Sequence, residues 1–261
     1  AAGLPGTRPE AVLACQHKLH ARRVLQRVCP EANLAFAELD ADYGGPIPDG
    51  VVYPAFVKPV KAAFSVLARE VRNVHELHMH TRFGRRELWV IRRLVEPFER
   101  IVRRRLPAAG SAHRMMLEEP VQAPQYNLDG YVHQGRLHVM GFVDALMYPG
   151  TQSFMRFQLP TRLDPEVQSP AVAVARRFLD AVGFDPGLFT MGFFHDPVSD
   201  RLAVIEFNPR LASQFGDLYR RVLGVDPHAI ALALATGGDP QAVPREAPGA
   251  GAAASFVYRS F

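Results

Sequence analysis

Two pairs of alternating apolar and polar runs, each closed by a short turn, constrain this chain most. YNLDGYVHQGRLHVMGFVDALMY reads as two strands joined at His133-Gln134-Gly135, and FTMGFFHD with RLAVIEFN as two more joined by PVSD. Hairpins of this kind build antiparallel sheets, so an all-helical chain is excluded. Helical runs stand apart from them. RPEAVLACQHKLHARRVLQRVC carries apolar residues at helical spacing up to Pro30 and reads as one helix over residues 8–29. PEVQSPAVAVARRFLDAVG is an amphipathic helix ending at Gly183, and DLYRRVLG and PHAIALALATGG are two shorter helices closed by Gly224 and Gly237-Gly238. Strands and helices in segregated runs give an α+β class.

Further strands are expected over Asn33–Leu39, over VVYPAFVKPV and over VLAREV, with MMLEEPV before the first hairpin. Residues 74–105 read as two helices meeting near Phe83-Gly84, with Pro97 as a kink or break. The tail APGAGAAA is a flexible linker, and ASFVYRSF reads as a strand that begins something unfinished; apolar Phe256, Val257 and Phe261 there predict self-association. With 261 residues, 48% of them hydrophobic, and 22 Pro and 20 Gly without a short repeat, collagen-like and mostly disordered readings fail. The chain opens on Ala1 and reads as a piece of something longer. Cys15 and Cys29, placed along one helix, cannot be bridged and imply a reducing compartment, the cytoplasm by default. No run approaches the length of a membrane span, so no membrane partner is expected.

Of 30 basic residues only Lys18, Lys58 and Lys61 are lysine. Lys is a compact point charge on a flexible stem, suited to reaching a phosphate, whereas the Arg majority provides solvation. The segment Val204-Ile205-Glu206-Phe207-Asn208-Pro209-Arg210 ends a strand with Glu-x-Asn, which places a carboxylate and an amide oxygen on one face. Hard oxygens of this kind suit Mg²⁺ together with phosphate, and an Arg two residues on can neutralise a transferring phosphoryl group. The same residues also suit a strand end closed by an Asx turn at Asn208-Pro209.

Four blocks in this order, CQHKLHAR, YPAFVKPV, LEEPVQAPQYNLDGYV and AVIEFNPR, make the sequence similar to the ATP-grasp superfamily of carboxylate–amine ligases over roughly Glu10 to Gly238. The resemblance implies two lobes whose antiparallel sheets enclose a nucleotide: 49–117 as the first lobe, 118–245 as the second, 1–48 as a helical lead-in with a linker strand, and 246–261 as a linker opening an incomplete segment. It implies that Lys18 and Lys58 contact the phosphates of ATP, that Glu118 and Val121 hold the adenine and ribose through side chain and backbone, and that Gln125 stands beside the nucleotide where many relatives have Glu. Glu206 and Asn208 would bind Mg²⁺, with Mn²⁺ as the alternative, and Arg210 would steady the acyl-phosphate transition state. The partners implied are small-molecule carboxylate and amine substrates, with a homo-oligomer compatible with this reading.

The chain departs from the family pattern in three places. The loop after Lys58 has no glycine and would cover the phosphates with Ala62, Ala63, Phe64 and Ser65. Gly192 stands where the family has a metal-binding Glu, with Asp144 or Asp196 as substitutes. The domain before the core and the subdomain after it are expected to be missing. A nucleotide-binding fragment or degenerate copy without ligase turnover is therefore the rival reading.

Other constellations read as ordinary surface. His75, His78 and His80 resemble a metal cluster but suit a solvated helix face. Arg85, Arg86, Arg92, Arg93 and Arg103–Arg105 lack the aromatics of a nucleic-acid reader and suit a solvated helix, so no nucleic-acid partner is expected. Arg156, among Met155 and Phe157, suits either a carboxylate or an edge strand. Ser213 and Gln214 suit either a substrate loop or a helix start.

Overall fold

The structure is a computed structural model, and it describes residues 3–39, 46–62, 67–151 and 153–258. Ala63, Phe64, Ser65 and Phe261 lie outside the described residues. By its contacts the chain divides into two compact units, Leu13–Gln122 and Ala123–Phe261 with Ala1–Val12. Of residues 1–48, read from the sequence as a lead-in, the described ones from Leu13 on fall in the same unit as the first lobe.

The unit Leu13–Gln122 holds α2 (Lys18–Val28), β1 (Phe36–Leu39), β2 (Ala55–Pro59), β3 (Arg69–Val71), α3 (Val74–Thr81), α4 (Arg85–Arg105) and β4 (Met115–Glu118). The helix expected over 8–29 is two. The first, α1 (Pro9–Gln16), stops at His17, whose extended backbone and ring Nδ1 cap α2 by accepting from His20 N–H. The four strands form an antiparallel sheet in the order β1-β4-β2-β3, with Lys58 opposite Met116 and Phe56 opposite Glu118. Val57, Val71, Leu77 and Leu117 pack on one side of it. Helix α4 runs unbroken through Pro97.

The other unit carries β5 (Gln125–His133), β6 (Arg136–Met147), β7 (Phe154–Leu159), α5 (Pro165–Val182), β8 (Gly187–Asp196), β9 (Arg201–Asn208), α6 (Gly216–Leu223), α7 (Pro227–Thr236) and β10 (Ala253–Phe256). Its antiparallel sheet has the order β10-β7-β6-β5-β8-β9. The β5–β6 turn places Gln134 at φ 52° and Gly135 at φ 70°, the left-handed pair a two-residue hairpin needs. The final strand is an edge strand paired with β7.

Alternation sorts the residues of this sheet. On one face, Met191 pairs with Phe207 and with Leu128, and Phe178 of α5 stacks on Phe207 at 3.9 Å. On the other, Val143 and Ala145 join Leu218 and Tyr219 of α6 and Ile230 of α7 in one cluster. Gly141 is required there, because a Cβ would stand 2.9 Å from the Tyr219 ring. Asn127, Asp129, Thr190, Glu206 and Asn208 share this second face.

Candidate functional site

In the unit Leu13–Gln122, three cationic side chains gather near one carboxylate. Glu118 at the end of β4 receives Lys58 Nζ at 2.7 Å on Oε2 and Arg22 Nε at 2.6 Å on Oε1. Lys58 and Glu118 meet because each lies on the same face of adjacent strands, one pair apart in register. Arg22 reaches in from α2, one helical turn beyond Lys18. Lys18 is tied to the chain just beyond β2: its N–H donates to Val60 O and its Nζ to Ala62 O, both at 3.2 Å.

Arg22, Lys58 and Glu118 are all nearly inaccessible, at 2%, 6% and 4% exposure. Burial lowers the Lys58 pKa, and the nearby Arg22 and Lys18 charges lower it further, against the pull of Glu118. Burial pushes Glu118 the other way, but Arg22 and Lys58 outweigh it and hold the carboxyl below its usual range. Arg22 and Lys58 on one carboxylate, with Lys18 close enough to act on Lys58, leave a surplus of positive charge, the electrostatics an anionic phosphate requires.

One expectation for this unit meets a different arrangement. Glu118 spends both oxygens on Lys58 and Arg22, so its side chain is directed at cations rather than at a sugar hydroxyl. Val121 is half-buried, and its backbone N–H and C=O have no partner among the described residues. Arg22 was legible only as one more helix Arg; its place four residues after Lys18 was the available signal.

In the other unit, Gly192 pairs with Glu206 and with Asn127, while Thr190 pairs with Asn208 and with Asp129. Gln125 shares their face of β5, so three neighbouring strands present one polar surface. Asn208 Nδ2 donates to Glu206 Oε1 at 3.0 Å, which shows that the Glu-x-Asn side chains converge. Arg210 is exposed just beyond the strand, with its N–H on Asn208 O at 2.9 Å.

At Gly192 a Cβ would find only ordinary contacts, 3.6 Å to Asn127 Oδ1 and 3.7 Å to Ile205 Cβ. Asn127 is 8% exposed, and its Nδ2 has no partner among the described residues. The set Glu206, Asn208 and Asn127 therefore offers one carboxylate and two amides around an open slot. Among the described residues no group of three or more His, Cys, Asp or Glu could hold a metal. A hard divalent ion that takes most of its oxygens from water and phosphate fits this donor set; a dedicated all-protein cage is not present.

Beneath this surface lies Asp129, 1% exposed, which sequence reading passed over as one polar residue in an alternating strand. It accepts hydrogen bonds from the Thr190 hydroxyl and, at 2.8 Å, from Tyr219 OH. Burial pushes its carboxyl up to about 7, against those two donors and the nearby Arg210 charge.

The proposed substitutes for a missing carboxylate do not join the set. Asp144 pairs with Tyr126 on the opposite face and accepts from Thr161 Oγ1, Arg162 N–H and Gln158 Nε2. Asp196 sits in the β8–β9 turn, bonded to Val198 N–H and Ser199 Oγ. His75 and His78 are exposed, whereas His80 is half-buried with Nε2 at 2.9 Å from Leu67 O. Arg156 bonds Gln158 and lies over the Phe256 ring. Ser213 and Gln214 are exposed in the turn that opens α6.

No protein-family profile and no curated protein matches the sequence. Solved structures match its fold. An L-amino acid ligase from Bacillus licheniformis superposes with a TM-score of 0.67 at 18% identity, over 89% of this chain and 50% of that one. A biotin carboxylase from Campylobacter jejuni, solved as a β,γ-ATP complex, gives 0.65 at 20% identity over 90% and 49%. The VanG D-Ala:D-Ser ligase from Enterococcus faecalis gives 0.57 at 17% identity over 78% and 55%. This chain has the ATP-grasp fold. It spans about half the length of these enzymes. Among the described residues no helix is long and apolar enough to cross a membrane.

Proposed function

We propose that this chain is the nucleotide-binding core of an ATP-dependent ligase that joins a carboxylate to an amine. The observation that carries the reading is the Glu206–Asn208 pair on one polar face, followed immediately by the exposed cation of Arg210. In the reaction, a carboxylate oxygen of the substrate attacks the γ-phosphorus, ADP leaves, and the amine nitrogen then attacks the acyl carbon, expelling phosphate and losing a proton. Lys18 and Lys58 hold phosphate oxygens, the backbone at Glu118–Val121 receives the base, Gln125 borders the nucleotide, and Arg210 faces charge on the transferring group. Glu206 and Asn208, with Asn127 beside them, would hold Mg²⁺ or Mn²⁺, which when bound offsets phosphate charge. A cytoplasmic setting belongs to the same reading.

Gly192 favours a second reading, nucleotide binding without ligase turnover, since it offers no ligand where Glu206 and Asn127 flank a slot. Titration of Mg²⁺·ATP by calorimetry tests the shared part of both readings. Phosphate release from ATP with a mixed pool of amino acids separates them: release that depends on the pool supports the ligase, and tight nucleotide binding without release supports the second.

A further inference from the structure

The outer face of α4 has no role in the site above. Its inner face supplies Val95, Glu99 and Val102 to the unit's interior, with Leu88, Ile91 and Phe98 partly covered. A second apolar row remains outside. Val90, Leu94, Pro97 and Ile101 follow one another at spacings of four, three and four, the seam of two packed helices, and Leu94 is 77% exposed. Arg86, Arg93 and Arg100 run beside this row at intervals of seven, with Arg93 over the ring of Trp89. The helix holds eight Arg and three Glu. All three Glu are engaged locally: Glu87 accepts from Gly84 N–H, Glu96 from Arg100 and His113, and Glu99 from Arg103 and Ala112 N–H.

We propose that this face docks an amphipathic helix of another protein, one with apolar seam residues and a row of carboxylates along the edge that meets Arg86, Arg93 and Arg100. Charge decides the occupant. A second copy of α4 would bring more arginines and no uncommitted acid to the seam, so self-pairing is opposed. The apolar row itself offers no stacking surface to nucleotide bases, and Trp89 beside it, 63% exposed, is a single ring already paired with Arg93, where a bound strand stacks on successive aromatics. A membrane surface suits cations along both flanks of an apolar row, whereas here the flank opposite the Arg row carries Glu87, Ile91 and Phe98, with Arg105 as its single cation at the helix end.

The chain has a single tryptophan, so Trp89 reports on this face alone. The test adds to the 261-residue chain a synthetic 21-residue helix, the length of α4, with Leu along the seam and Glu on its flanks. Expected are saturable binding with a blue shift of Trp89 emission, and binding weaker by about tenfold or more for the same peptide with Lys flanks or for Leu94→Glu. An Arg93→Glu, Arg100→Glu double variant should reverse the preference between the two peptides. Equal binding of Glu and Lys peptides, no loss in Leu94→Glu, or a Trp89 shift produced only by vesicles of phosphatidylcholine with phosphatidylserine or by RNA would each overturn the proposal.

Discussion

The Tyr219 hydroxyl donates to Asp129 at 2.8 Å, joining α6 to the floor of the polar face that carries Glu206 and Asn208. The bond occupies one oxygen of a carboxyl that burial pushes from 3.8 to about 7. Between those values the folded chain holds a proton that the unfolded chain has released. The stabilisation is therefore complete below about pH 4 and is lost as pH rises through 7, a change of about 4 kcal/mol at most. In urea unfolding across this range, Asp129→Asn should flatten the decline. An unchanged slope in the variant would show that Asp129 does not titrate there.

The lysines differ in what holds them. Lys18→Met or Lys58→Met should weaken ATP binding by about 1.5–3 kcal/mol, the usual loss for a hydrogen bond to a charged group. Lys61 donates to Gln16 Oε1 at 3.0 Å and lies over the Phe98 ring, so Lys61→Met should leave nucleotide affinity nearly unchanged. Equal losses at all three in a calorimetric titration would remove the phosphate assignment.

Glu118 is expected to matter for stability before it matters for catalysis. Glu118→Gln leaves Arg22 and Lys58 buried without a compensating carboxylate and should cost about 3–5 kcal/mol in urea unfolding. A loss within the scatter of surface substitutions would mean that water already reaches these cations.

Gly192→Glu tests the slot beside Asn127. Its Cβ fits at ordinary contact distance, and the new carboxylate would project from the same face as Glu206. Mg²⁺ affinity in the presence of ATP should rise by about tenfold, read by calorimetry with Mg²⁺ as titrant. Unchanged or weaker binding would show that a divalent ion is not held between these strands.

The hairpins were legible because their turns carry chemistry that a sequence displays: Gln134-Gly135 must adopt left-handed backbone, and strand alternation on either side leaves one register. Glu206 and Asn208 were legible for the same reason, since a period of two puts both on one face. The break at His17 was not, because a ring nitrogen acts there as the cap and histidine lies outside the usual capping residues. Arg22 and Asp129 were missed because their burial depends on partners distant in sequence, Glu118 for one and Tyr219 for the other. No local pattern distinguishes a charged side chain that will meet its partner from one that stays in water.

The pairing of β10 with β7 sets an order on synthesis. A ribosome delivers β5 to β9 while the far edge of β7 still has its hydrogen-bonding groups bare, and Ala253–Phe256 pairs with that edge only after β9 has been made. Nascent chains at that stage carry an almost finished sheet whose β7 border is bare in addition to the β9 edge that the completed sheet keeps. Transcripts cut short before Ala253 would leave that border permanently open, a state that chaperones and proteases are suited to intercept.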